Sequence, residues 1–288
     1  MNRPVVLAGL RPMGSAHQRD YFEFLKPLLD RQGEARCFIM ITDYLSLGAA
    51  GGDSRKVQED VTDLVMDVLA SGFDPERGVC FLQSQVPQLG ELAIILDHSL
   101  RPPAPTGILR VRDRPDATRQ PLPSDSIGYA ALQTADLLLF RPASVFVAPD
   151  QRPYVEQTRQ RARRFNREFG PVFPETKCES GEEQVGSGRN IGMSGYHTDR
   201  IDVLESAKRV PAKAHGVSMD TGRALPAGAG EPSHLPEPLK SARAKLEGRR
   251  SLVRDILHLG GSDARIEGQR TLELVKEAVG LRYGNLLI

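Results

Sequence analysis

Apolar runs alternate with amphipathic stretches along the first hundred residues. Three short apolar runs, at 5–10, 37–42 and 79–82, predict buried β-strands. Helices are predicted over 20–32 and 53–71, and the second has apolar residues at helical spacing: Val57, Val61, Leu64, Val65, Val68 and Leu69. Strands that alternate with helices predict βαβ units, and therefore an α/β fold with a parallel sheet.

The pattern changes after residue 100. Residues 101–126 are rich in Pro and Arg with little periodicity, which predicts a surface excursion. Helices are then predicted over 130–140 and 150–169, with a short strand at 145–147 between them. The α/β alternation therefore continues past the excursion.

The rest of the chain, from residue 175 onward, has a different composition. Residues 175–238 are mostly polar and rich in Gly and Pro, whereas 241–281 predict helical structure that is broken at Gly260-Gly261. We therefore divide the chain into a core, a loop-and-linker segment and a C-terminal helical part, at 1–185, 186–240 and 241–288.

Composition narrows the class of protein. The 288 residues include 38 Lys+Arg and 37 Asp+Glu, 40% are hydrophobic and none is tryptophan. This balance favours a globular fold over a disordered or strongly basic chain. The apolar runs are too short to span a bilayer, so no membrane partner is expected. The three isolated cysteines predict neither a disulfide scaffold nor a zinc site, and they favour the reducing cytoplasm.

The predicted topology indicates where a ligand would bind. In open parallel sheets, ligands bind beyond the carboxyl ends of the strands. Four segments follow predicted strands or face that edge: 11–20, 43–47, 129–136 and 148–156. This reasoning predicts a place for the site and leaves its reaction open.

Four segments also carry recognisable motifs. Residues 127–176, IGYAALQTADLLLFRPASVFVAPDQRPYVEQTRQRARRFNREFGPVFPET, are similar to a YPVLQAADILLY…DQ…ARRFN…GPVFPEP run. GLRPMGSAHQRDYFEFLKPLL at 9–29, IMITDYLSL at 39–47 and the helical residues 253–281 match in the same order. Together they resemble the tryptophanyl-tRNA synthetases, which are class I aminoacyl-tRNA synthetases. The resemblance implies a Rossmann-like parallel sheet with a C-terminal α-helical region, which is shortened here.

The first nucleotide signature of that family, HxGH, is altered in this chain. The matching residues are His17-Gln18-Arg19-Asp20. In the family the glycine lets adenine approach the backbone at a helix start. Arg19 puts a long side chain at that position, and Asp20 adds a negative charge near the phosphates.

The second signature, KMSKS, is altered as well. Met193-Ser194 remain, but glycines replace both lysines, which in the family stabilise the departing pyrophosphate. We therefore expect ATP-dependent activation to be weak or lost, and assign no cofactor, with ATP and Mg²⁺ in question. The resemblance leaves His17, Arg19 and Ser194 as candidate catalytic residues and implies nucleotide contacts at Gly14, His17, Asp20, Gly188, Met193 and Ser194.

The amino-acid pocket matches the family better. There an aspartate accepts the indole N–H and a glutamine helps to bind the α-amino end; the matching residues are Asp136 and Gln151. Leu45 and Tyr154 stand where the family has histidines. The resemblance implies a pocket for tryptophan or a related aromatic amino acid, formed by Leu7, Asp43, Tyr129, Gln133, Asp136 and Gln151.

Simpler interpretations stand beside these. Asp136 taken alone is equally well a buried aspartate bonded to nearby backbone, and His17 alone a surface histidine. The arginines at 159–164 indicate a solvated helix face rather than a tRNA groove, because Glu156 and Glu168 offset them.

Three functions remain open. The first is a diverged synthetase-like protein that keeps the pocket, has lost ordinary ATP-dependent activation and anticodon reading, and works outside translation, for example in specialised metabolism with aminoacyl-tRNA as acyl donor. The second is an unusual but working tryptophan–tRNA ligase that uses ATP. The third is a non-catalytic protein that binds a ligand or a partner. The resemblance further implies a cytoplasmic homodimer and allows tRNA or aminoacyl-tRNA as a partner.

Overall fold

The computed structural model describes residues 3–12, 25–49, 53–100, 124–147, 151–179 and 237–283. Within them, five parallel strands form one sheet in the order β3-β2-β1-β4-β5. The strands are β1 Val5–Leu10, β2 Arg36–Ile41, β3 Gly78–Leu82, β4 Ser144–Phe146 and β5 Lys177–Glu179.

This strand order confirms the predicted α/β fold with a Rossmann-like parallel sheet. The chain steps outward from β1 to β2 and β3, then returns to the other side of β1 to add β4 and β5. The order therefore reverses between β1 and β4, which is where such sheets open a crevice at the carboxyl ends of their strands. The sequence pattern predicted the first four strands and missed β5.

Eight α-helices connect or flank the strands in the described part of the chain. They are α1 Lys26–Leu29, α2 Asp43–Ala49, α3 Ser54–Ala70, α4 Gln88–Ser99, α5 Ser124–Leu138, α6 Arg152–Phe169, α7 Glu237–Ala244 and α8 Arg250–Ala278. The predicted helices at 53–71, 130–140 and 150–169 are confirmed within a turn or two. Of the helix predicted over 20–32, the described residues form only the single turn α1, while α2 and α4 were not predicted.

Helix α3 illustrates how local sequence fixes an element. The Asp53 carboxylate accepts hydrogen bonds from the backbone N–H groups of Arg55 and Lys56, at 3.0 and 3.2 Å. These groups lack partners inside the first turn, so the cap stabilises the start of the helix. Gly72 ends it with φ of +94°, a conformation that glycine adopts without strain.

The core consists of two apolar layers, one on each face of the sheet. Phe38, Phe81 and Phe140 pack together on one face, with ring centroids 5.0–6.2 Å apart. The opposite face includes Cys37 and Cys80, and burial raises the pKa of each thiol to about 12. Both thiols therefore stay protonated at neutral pH, as expected for buried, unreactive cysteines.

Helix α8 corrects one expectation, because it runs unbroken through Gly260-Gly261. A methyl group at Gly260 would overlap the backbone carbonyl of Cys80 in β3, and one at Gly261 would overlap the side chain of Gln85. Before this point α8 packs on the sheet face that α3 covers, and beyond it on the face that α4 and α5 cover. The glycines therefore allow a continuous helix to cross β3 at close range, and do not interrupt it.

Helix α7 is fixed to α3 by a charged cluster. The Arg243 guanidinium donates to the carboxylates of Asp63 and Asp67, and to the backbone oxygen of Asp63 at 2.8 Å. The Asp67 side chain is fully buried.

No helix among the described residues combines the length and the apolar character needed to cross a membrane.

Candidate functional site

The candidate site lies at the carboxyl ends of β2 and β3. Helix α2 begins at Asp43, two residues after β2, and a 3₁₀ turn, Gln83–Gln85, follows β3 directly. Because the strands are parallel, these two segments meet at one edge of the sheet, and α5 brings Asp136 to the same place.

Asp136 is the central group of this site. Its residue is only 3% exposed, and both carboxylate oxygens accept hydrogen bonds from Nε2 of Gln83 at 2.8 Å. Burial raises the pKa of the Asp136 carboxyl from 3.8 to about 7, while the bond from Gln83 acts in the lowering direction. The carboxyl therefore changes charge close to neutral pH.

Gln83 was missed by the sequence analysis. It is fully buried, and its own side-chain oxygen has no hydrogen-bond partner within the part of the chain that the structure describes. Gln83 and Asp136 together thus present buried acceptor oxygens. One signal could have found it, since Gln83 directly follows the third predicted strand, where ligands bind in such sheets.

Asp43 is connected to the same turn. Its carboxylate accepts hydrogen bonds from the backbone N–H of Ser84, at 3.0 Å, and from the Ser84 hydroxyl. Ser84 follows Gln83, so two consecutive residues link the two candidate acids. Asp43 therefore connects the segment that follows β2 to the turn that follows β3.

The other four pocket candidates lie at different depths. Gln133 is buried on α5, one turn before Asp136, and Tyr129 belongs to the same helix although its side chain lies outside the described part. Gln151 immediately precedes α6 and is partly buried. Leu7 is packed in the core, opposite Phe38 of β2 and Val145 of β4.

All nucleotide-site and catalytic candidates lie outside the described residues: Gly14, His17, Arg19, Asp20, Gly188, Met193 and Ser194. Their roles remain predictions. Within the described ranges, no three His, Cys, Asp or Glu side chains are grouped so that they could hold a metal ion.

Three arginines of α6 are held by carboxylates. Arg159 contacts Glu156 and Glu175, and Arg163 contacts Glu175 as well. Arg164 pairs with Glu168 one turn along the helix. Glu156 and Glu168 therefore offset arginines of this helix as expected from the sequence, and Glu175 is an additional partner. Arg161 instead donates to the Thr134 hydroxyl at 3.2 Å.

Comparison with known proteins shows the family to which this chain belongs. The family model described as tRNA synthetases class I (W and Y) matches residues 1–180. The tryptophan–tRNA ligase of Treponema pallidum is 30% identical over 325 aligned positions that cover 96% of each chain. The ligase of the same name from Ralstonia nicotianae is 34% identical over 227 positions, 74% of this chain and 56% of that one.

A solved structure agrees in fold. A tryptophanyl-tRNA synthetase from Campylobacter jejuni, in complex with ADP and tryptophan, superposes with a TM-score of 0.65 at 22% identity, covering 96% of this chain and 99% of that one. The matched family model thus places the chain in the class I tRNA synthetase family of the tryptophan and tyrosine group. Within that group the chain belongs to the tryptophanyl-tRNA synthetase family.

Proposed function

We propose that the protein binds tryptophan, or a closely related aromatic amino acid, through the buried carboxylate of Asp136. The observation that carries this proposal is the orientation of that buried carboxylate by Gln83. An indole ring combines an apolar surface with a single N–H donor. A buried acceptor would pair with this donor, and a ligand without one would leave the acceptor unsatisfied.

The names of the relatives support this ligand. The similar chains from T. pallidum and R. nicotianae are named tryptophan–tRNA ligases, and the C. jejuni enzyme was solved with tryptophan bound. Isothermal titration calorimetry with tryptophan tests the proposal, with Asp136→Ala as the matched variant. We expect Asp136→Ala to lose about 1–3 kcal/mol of binding free energy, the cost of an unpaired buried donor. Unchanged binding by this variant would remove Asp136 from the pocket.

The proposal extends to the reaction. Arg19 and Asp20 alter the first nucleotide signature, and the second lacks both lysines, so the groups that stabilise a departing pyrophosphate are missing. We therefore propose that ATP-dependent activation is weak or lost and that the pocket serves a reaction outside translation. An aminoacyl-tRNA would supply a ready acyl group: its ester bond breaks as the bond to the acceptor forms, and the tRNA leaves with a free hydroxyl.

Tryptophan-dependent ATP–pyrophosphate exchange tests this second step, with the T. pallidum relative assayed in parallel. We expect exchange far below that of the relative. Lysines at both altered positions, Gly192→Lys with Gly195→Lys, should not restore it, because Arg19 still replaces the glycine of the first signature. Full recovery with these two changes would show that the first signature is functional as it stands.

A working tryptophan–tRNA ligase is the second candidate. The 30% identity to the T. pallidum ligase over 96% of both chains favours it. Exchange at rates near those of the relative would establish this function and exclude the first. Absence of both exchange and tryptophan binding would instead favour a non-catalytic protein that binds another partner.

The remaining expectations are proposals of the same kind. We propose a cytoplasmic homodimer with tRNA or aminoacyl-tRNA as a further partner, as the resemblance implies. Light scattering on the purified protein tests the dimer. The division at 1–185, 186–240 and 241–288 predicts preferential cleavage between 186 and 240 in limited proteolysis, and cleavage first inside the core would contradict it.

A further inference from the structure

Gln83 is held more firmly than its place in a loop would require. Its backbone carbonyl accepts the N–H of Val86 at 3.1 Å, inside the short 3₁₀ turn. The next residue, Ser84, is held by Asp43, and the carbonyl of Gln85 accepts a hydrogen bond from Arg265 of α8 at 3.1 Å. Contacts from two helices therefore fix the turn that carries the Gln83 side chain.

The amide of Gln83 can face Asp136 with either its N–H groups or its oxygen, and we expect the charge on Asp136 to select between the two. With Asp136 ionised, the amide N–H groups face the carboxylate, as the structure shows. The reverse orientation would bring the amide oxygen against a negative charge. With Asp136 protonated, the same oxygen could accept the carboxyl proton. The orientation of Gln83 and the charge on Asp136 are therefore coupled.

We propose that Gln83 is a positioning residue, which keeps the Asp136 carboxylate turned to accept a ring N–H and so selects ligands that carry this donor. The proposal rests on the proposed binding of tryptophan. It adds that the preference comes from two buried residues acting together. The Asp136 oxygens can accept a further hydrogen bond, and the Gln83 oxygen has no partner among the described residues, so a ligand that lacks a donor leaves these acceptors without it.

The test compares two ligands of the same shape. Tryptophan has an indole N–H, whereas β-(3-benzothienyl)alanine has sulfur in its place. Calorimetry at pH 8 measures the affinity of both ligands for the wild type and for Gln83→Met. Gln160→Met, on the exposed side of α6, is the control variant. We expect the wild type to prefer tryptophan about 10–100-fold, the affinity equivalent of one buried hydrogen bond.

Gln83→Met should remove this preference. We expect it to weaken tryptophan binding about 10–100-fold, to leave the benzothienyl analogue within about twofold, and to leave Gln160→Met like the wild type. Because the bond from Gln83 lowers the pKa of Asp136, its loss should also shift the onset of tryptophan binding to higher pH. A purely structural role would weaken both ligands equally and leave the pH profile unmoved, which would overturn the proposal.

A second variant keeps the test decisive if methionine disrupts folding. Gln83→Glu retains the shape but places a second carboxyl against Asp136, so that a donor to Asp136 is present only once the pair has taken up a shared proton as the pH falls. We expect its tryptophan affinity to be low at pH 8 and to recover towards pH 6, and absence of recovery would contradict the coupling. Failure of the wild type to bind either ligand would instead count against the proposed function, so the two failures are distinguishable.

Discussion

Replacing Asp136 with asparagine should stabilise the fold at neutral pH. The carboxyl is buried, and burial raises its pKa to about 7, so the folded protein is penalised for carrying the charge. Asparagine has nearly the same shape. Its oxygen can accept from Nε2 of Gln83, and its amide can donate to the Gln83 oxygen that has no partner among the described residues. The variant removes the charge and keeps the polar groups paired.

The size and direction of the effect follow from linkage. The pKa is higher in the folded chain, about 7, than its ordinary value of 3.8. The carboxyl therefore contributes most to the free energy of unfolding at low pH, and this contribution falls as the pH rises from about 4 to about 7. One pH unit corresponds to about 1.4 kcal/mol, so the whole difference in pKa changes the free energy of unfolding by at most about 4 kcal/mol. About 2–3 kcal/mol of this change occurs between pH 5 and pH 8.

Urea unfolding of the wild type and Asp136→Asn at pH 5 and pH 8 measures this difference. We expect the advantage of the variant to grow by about 2–3 kcal/mol between the two pH values. Asp255→Asn, at an exposed position on α8, is the control and should show no such growth. Identical pH dependence of the wild type and Asp136→Asn would refute the argument that burial of this carboxyl costs stability.

The remaining predictions concern packing and capping, and urea unfolding measures each of them. Gly260→Ala should lower the free energy of unfolding by about 1–3 kcal/mol, because the added methyl group overlaps β3. Gly90→Ala in α4 has open space around it and should raise the free energy of unfolding by about 0.5–1 kcal/mol. Effects of the same sign in the two variants would contradict the close approach of α8 to β3. Arg243→Ala should cost about 3 kcal/mol because Asp67 is left buried without this partner, and adding Asp67→Ala should recover part of the loss. Asp53→Ala should cost about 1 kcal/mol and Asp53→Asn much less, and an equal loss would argue against the cap.

The central strands and the amphipathic helices could be predicted because each has a local pattern of apolar residues that indicates which positions are buried. Strand β5, Lys-Cys-Glu, is not apolar, and only its pairing with β4 defines it. Helix α4 is apolar on most sides, so its sequence shows little helical periodicity. At Gly260-Gly261 the sequence predicted a break because local propensity cannot anticipate a strand that passes close to the helix.

Some residues of the candidate site could likewise be expected from the sequence, and others could not. Asp136 was expected from the resemblance, and its position near the carboxyl ends of the strands follows from the parallel sheet. Its partner Gln83 lies 53 positions earlier in the chain, and no local pattern connects the two. Asp43 was expected at a ligand, and the structure shows its contacts with Ser84. Such partnerships are set by tertiary packing and cannot be inferred from spacing.

The crossing of α8 over β3 has a consequence for how the chain is made and handled. Strand β3 is the outermost strand on its side of the described sheet, and an uncovered strand at such a position invites pairing with other chains. Among the described residues, its cover comes from α8 at 250–278, so β3 lies uncovered on the ribosome until this helix has emerged. Any fragment that stops before residue 250 should therefore aggregate, and adding α8 as a separate peptide should restore its solubility.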